Sequence, residues 1–88
     1  MNKSLNEQIA ELKNIPGSVI PNGEFVTPSG IKYNWESWIS DAFPLFIELP
    51  YSSKTTLLYA WANENAEHEM EEEEYCRQIL EEFLAWKN

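Results

Sequence analysis

Between Glu64 and Tyr75 the chain runs Glu-Asn-Ala-Glu-His-Glu-Met-Glu-Glu-Glu-Glu-Tyr, with seven carboxylates in twelve residues. No other feature constrains the fold as strongly. Unpaired carboxylates cannot enter the core of so small a domain, because desolvating each one costs several kcal/mol. This stretch must therefore lie at the surface, and the rest of the 88 residues must supply the core. The charge is unevenly spread. Residues 1–44 carry three Lys against five acids, whereas residues 45–88 carry three basic residues against ten acids, for a total of −9. Nine of those ten acids fall between Glu64 and Glu82.

Apolar periodicity locates the core. Ser4-Leu5-Asn6-Glu7 has the form of a capping box, and Leu5, Ile9 and Leu12 follow on one helical face. Asn14, Pro16 and Gly17 stop that face, so the first helix is expected at about residues 4–14. Ser18-Val19-Ile20 is β-branched and precedes the turn signal Pro21-Asn22-Gly23. Glu24 to Thr27 and Ile31 to Tyr33 then flank Thr27-Pro28-Ser29-Gly30, which predicts a hairpin, widened to three strands by Val19 and Ile20.

From Asn34 the helical period returns. Trp35, Trp38, Ile39, Ala42 and Phe43 share a face, with Asn34 as the expected N-cap. Pro44 is expected to break or kink this helix, leaving Leu45 to Leu49 as a further turn. Ser52 or Ser53 can cap a helix carrying Leu57, Leu58 and Trp61, and a last stripe comprises Cys76, Ile79, Leu80 and Phe83. Sequence alone leaves open whether these two helices are continuous. The expected architecture is a single α+β domain over residues 1–88, mostly helical, with about four helices and a hairpin or three-stranded meander after the first.

Traced backwards on a helix, the last stripe meets Glu73, Glu72 and Glu69, so its apolar face ends one turn before Cys76. On one continuous helix, Glu64/Glu67, Glu67/Glu71, Glu69/Glu72, Glu69/Glu73 and Glu71/Glu74 are like-charge neighbours, costing roughly 1–2 kcal/mol together. Glu73 and Glu74 recover part of that if they reach Arg77. Two readings stand side by side. Acids near a helix N-terminus suit the macrodipole and form an ordinary solvated face. Alternatively, Glu64, Glu67, Glu69, Glu71, Glu72, Glu73, Glu74 and the neighbouring Tyr75 form a docking surface for a basic partner.

Other chemistries are poorly served. A net charge of −9 argues against direct nucleic-acid binding, which rests on clustered Lys and Arg. Twelve aromatics, four of them Trp, argue against a disordered acidic tail. Cys76 is the sole cysteine, so neither an internal disulfide nor a cysteine-based zinc site can form. Glu64, His68 and Glu72 could share a helix face as metal ligands, but a di-iron site wants Glu-x-x-His on two helices and the chain has one His. His68 and Cys76 lie too far apart along a helix for a nucleophile–base dyad. The three glycines all sit at turn signals, and no phosphate loop exists.

The expectation is thus a non-enzymatic protein with no cofactor and no metal. The N-terminal residues lack a signal-peptide core and the longest apolar run, Ala42 to Ile47, contains Pro44, so the chain reads as soluble and cytoplasmic with no membrane association. Its partner is expected to be a basic protein, in the sharpest version a nuclease or other nucleic-acid-binding protein whose phosphate site the carboxylates occupy. Small acidic inhibitors of phage and mobile elements, immunity proteins and antitoxins share this size and charge, a likeness of composition alone. The alternative is a structural or regulatory subunit that assembles through exposed aromatics, including as a homo-oligomer. If two of Tyr51, Tyr59 and Tyr75 are exposed together, they become natural anchors beside the acid.

Overall fold

The computed structural model describes residues 3–88, which form four helices and a three-stranded antiparallel sheet. Helix α1 (Leu5–Leu12) begins as expected: Ser4 Oγ accepts from the Glu7 amide at 3.2 Å. It ends two residues early in a Schellman motif. Asn14 takes a left-handed φ of 57°, its amide bonds Glu11 O, and the Ile15 amide bonds Ala10 O.

The meander follows, with β1 (Ser18–Val19), β2 (Phe25–Val26) and β3 (Lys32–Tyr33) in sequential order. Val19 pairs with Phe25, and Phe25 with Tyr33. Gly30, at φ 91°, closes the β2–β3 turn with its amide on Thr27 O. Gly17 allows a close approach instead: a Cβ there would lie 2.3 Å from Val26 O and 2.8 Å from the Phe25 ring.

Helix α2 (Ile39–Glu48) starts five residues after the expected cap at Asn34. Long-range bonds claim residues 34–36 first. The Asn34 amide donates to Asp41 Oδ2 (2.8 Å), and Asn34 Oδ1 accepts from Asn6 Nδ2 (3.1 Å). The Glu36 amide donates to Asn6 Oδ1 (3.0 Å). Trp35, buried beneath the sheet, stacks on Tyr33 at 4.8 Å instead of joining a helical stripe. Asn6, itself buried, also donates to Gly23 O, so one side chain ties α1 to both turns. Pro44 does not end α2 either. Its missing amide leaves the Ser40 carbonyl, in the exposed first turn, without that intrahelical partner, and Leu45–Glu48 continue the same helix.

Helix α3 (Tyr51–Glu67) has Pro50 at its N-cap, so Ser52 and Ser53 lie inside the first turn and do not cap it. Helix α4 (Glu72–Lys87) is separate: His68 turns out of helical geometry (φ −157°, ψ 158°), and a short linker leads to Glu71 at the α4 N-cap. Cys76, Ile79, Leu80, Phe83 and Leu84 of α4 pack chiefly on Ala42, Leu45 and Phe46 of α2, with Ile9, Ala10, Phe25 and Trp35 completing one core. Helix α3 is joined to this core mainly through Leu57, its one buried residue, and half-buried Trp61. Among the described residues, no helix is long and apolar enough to cross a membrane.

Candidate partner-docking site

The break at His68 divides the acidic run into three pieces. Glu64 and Glu67 occupy the last turn of α3, Glu69 lies in the linker and Glu71 at the α4 cap, and Glu72, Glu73 and Glu74 form the first turn of α4. Several of the like-charge neighbours expected on one helix therefore do not arise. Glu67/Glu71, Glu69/Glu72 and Glu69/Glu73 straddle the break, and only Glu64/Glu67 and Glu71/Glu74 keep helical spacing.

A small polar network pins the junction. Asn65 Oδ1 accepts from the Met70 amide (3.1 Å), while its Nδ2 donates to Trp61 O and to Tyr75 Oη, both at 2.8 Å. Trp61 Nε1 donates to Gln78 Oε1 (2.9 Å), and the Trp61 and Tyr75 rings meet edge-on at 5.1 Å. Met70 is buried, so the linker is anchored between two exposed glutamates.

The eight residues expected to dock fall into two groups. Glu64, Glu67, Glu69, Glu71 and Glu73 are exposed at this junction, with Glu74 half-buried beside them. Glu72 and Tyr75 have internal work. Glu72 Oε2 accepts the Ile39 amide at 2.9 Å, capping the N-terminus of α2 from a different helix, and half-buried Tyr75 carries the bond from Asn65.

The dipoles separate the carboxylates again. Those of the α4 first turn are favoured by its N-terminal partial charge. Glu64 and Glu67 stand at the negative end of α3, with no basic residue in that turn. Nor do cations compensate them. Lys3 pairs with Glu11, Lys13 with Glu48 (2.8 Å) and Lys32 with Glu24 (3.9 Å), so these three lysines are engaged outside the acidic run. Among the described residues, the one basic side chain that approaches a carboxylate of that run is His68, whose Nε2 lies 3.7 Å from Glu64 Oε2 and carries charge only when protonated. The expected pairing of Glu73 and Glu74 with Arg77 does not form; an exposed pair of this kind gains too little to fix two long side chains.

Alongside α3 lies an apolar groove of about 460 Å³, lined by Phe46 and by Tyr51, Lys54, Thr55, Leu58, Tyr59 and Ala62 of α3. Tyr51 is 84% and Tyr59 70% exposed, so two of the three candidate tyrosines do open onto one surface. Leu58 (54% exposed) joins them, although its neighbours Leu57 and Trp61 suggested a core position. Adjacent residues on a helix lie 100° apart, so Leu57 and Leu58 cannot both face a core that α3 touches along one edge. Phe43, expected in the buried stripe of α2, is half exposed and stacks on Phe46 at 5.8 Å.

Nucleophilic chemistry finds no support at Cys76. The thiol is fully buried, and its pKa is pushed up to about 11, first by burial and then by Glu72, Glu73 and Asp41. It stays protonated and inert at neutral pH. Glu64, His68 and Glu72 do not share a helix face, because α3 ends at Glu67. Compared with protein-family models, curated proteins and solved structures, the chain matches none.

Proposed function

We propose that this protein is a non-enzymatic inhibitor or neutralising partner that docks the acidic α3–α4 junction onto a basic surface of another protein. In its sharpest form the target is a nuclease or other nucleic-acid-binding protein of the cytoplasm, with the carboxylates standing where phosphates would bind. The observation that carries this reading is Glu64 and Glu67 at the C-terminal end of α3, followed by Glu69 and Glu71, with no Lys or Arg pairing them among the described residues. Helix stability explains the acids of the α4 first turn, but it opposes those of α3. A partner that gains from them supplies the missing reason. The anchored linker adds preorganisation, since Asn65 and Met70 hold the carboxylate-bearing backbone before any partner arrives.

The test replaces Glu64, Glu67, Glu69, Glu71 and Glu73 together by Gln, leaving Glu72 and Tyr75 intact. Tagged wild-type and variant proteins are used to capture partners from a host lysate. Wild type is expected to retain a basic protein that the variant loses, with both folded by circular dichroism. Equal retention by both overturns the proposal. The exposed groove favours a second reading, assembly through aromatic side chains, for which partner retention would survive the five Gln substitutions and fail on removing Tyr51 and Tyr59.

A further inference from the structure

We infer that the exposed α2–α3 face is closed by a second copy of this chain, in a two-fold dimer whose α3 helices run antiparallel. The groove is one part of a wider apolar surface. Ile39, Phe43 and Ile47 recur at i, i+4 and i+8 on α2, and Phe43 stacks on the Phe46 that lines the groove. These three are 36%, 50% and 54% exposed, beside Tyr51 at 84%, Leu58 at 54% and Tyr59 at 70%. With about 200 Å² for each aromatic residue and somewhat less for each aliphatic one, the six present roughly 650 Å². That exceeds the largest apolar patch of a typical monomer, about 300–600 Å². With its edges from Thr55, Ala62 and the Lys54 stem, the face reaches the scale of a standard interface, about 800 Å² per partner, which holds two chains at micromolar affinity or better.

Charge and size both select a second copy. From Leu49 to Asn63 the chain has no acid and one cation, Lys54. Glu64 and Glu67 lie about 140–160° around α3 from the stripe of Tyr51, Leu58 and Ala62. On α2, Asp41 and Glu48 turn to the Asn34 amide and to Lys13. The face is therefore the neutral side of a chain of net −9, and two copies meeting there keep their carboxylates outside. A strongly charged partner gains nothing from it. Two-fold symmetry then requires the surface to match itself. Antiparallel helices centred between Thr56 and Leu57 set Tyr51, at 84% exposure, against the partner's Ala62, the smallest residue of the groove. The same register sets Lys54 on the ring of the partner's Tyr59 and Thr55 on the partner's Leu58, and it keeps the two Lys54 apart. It also lays the two α3 dipoles head to tail.

The test is analytical ultracentrifugation of the full chain, wild type and variants. Wild type is expected to be a dimer at about 100 μM, and Leu58→Asp and Ala62→Trp each to weaken it at least about tenfold. Both residues are exposed, so the core stays intact, and circular dichroism checks this. Ala62→Trp is the sharper variant, because it adds apolar area and yet blocks the partner's Tyr51. Salt separates this face from the acidic junction. Between about 0.05 M and about 0.5 M it screens the repulsion of two −9 chains and should tighten the dimer, whereas docking onto a basic partner weakens. The five-Gln variant should dimerise at least as well as wild type. A monomer throughout, a dimer untouched by Leu58→Asp, or one that salt or the five Gln substitutions dissociate overturns the inference. A dimer that Ala62→Trp leaves intact overturns the antiparallel register. Capture of a basic partner by the acidic junction succeeds or fails independently of these results.

Discussion

Glu72 and Glu73 are adjacent glutamates in the same helical turn, and they should behave differently when removed. Glu72 Oε2 accepts the Ile39 amide at 2.9 Å, one of the donors that α2 cannot satisfy within itself, since Trp38 at its N-cap offers no side-chain bond. A lost N-cap costs about 0.5–2 kcal/mol, and a bond to a charged group in a dry setting about 1.5–3. The Glu72–Ile39 bond is exposed, so the lower part of that range applies, about 1 kcal/mol. Both glutamates share the dipole term at the start of α4, and Glu73 makes no further bond, so Glu73→Ala should stay within about 0.5 kcal/mol of wild type.

The assay is urea unfolding of wild type, Glu72→Ala, Glu72→Gln and Glu73→Ala, followed through the four tryptophans. A deficit of 1 kcal/mol in a domain of this size lowers the melting temperature by about 4–8 °C. Glu72→Ala should show that deficit, Glu72→Gln about half of it because the amide oxygen still accepts, and Glu73→Ala none. Indistinguishable stabilities for Glu72→Ala and Glu73→Ala would refute the division of the acidic run into structural and docking carboxylates.

Gly17→Ala should destabilise the fold by about 2–4 kcal/mol, because the new Cβ meets Val26 O at 2.3 Å and forces β1 away from β2; a melting curve like wild type's would contradict this. Asn6→Ala removes three side-chain hydrogen bonds and strands the part-buried Glu36 amide, for a loss of about 2–4 kcal/mol in the same assay. Above neutrality Cys76 should impose a slope on stability. The unfolded thiol ionises near 9.0 and the folded one near 11, so between these values the folded chain binds the extra proton and stability falls as pH rises, by roughly 2–3 kcal/mol in all. Cys76→Ala should flatten that slope in unfolding series at rising pH, and an unchanged slope would count against it.

Much of the architecture was legible because it is written in local patterns. Ser4 with Glu7, the Thr27–Gly30 turn and the Cys76–Phe83 stripe each sit within a few residues of the structure they specify. The misread elements were decided by distant partners. Asn34 looks like a helix cap until Asp41 and Asn6 compete for it, and Trp35 matches a helical period although Tyr33 and the sheet hold it. At the acidic run, an apolar stripe that ends before Cys76 fits either a helix that starts late or one that projects past the core, and α4 starts at Glu72 after the break at His68. The double duty of Glu72 was invisible, because its acceptor role depends on Ile39, far away in the chain. Leu58 was misplaced by treating α3 as a helix with a wide buried face, when it rests on the core by one edge.

Docking driven by the exposed carboxylates of the α3–α4 junction makes the association rate the most direct quantity to measure. With the captured partner in hand, stopped-flow association is followed from about 0.05 M to about 0.5 M salt, across which the screening length shrinks from roughly 14 to 4 Å. The wild-type rate should fall by at least about tenfold over that range, and the five-Gln variant should start low and change little. A wild-type rate that stays flat with salt, or a variant that matches it throughout, would contradict the assignment of the acidic junction as the docking surface.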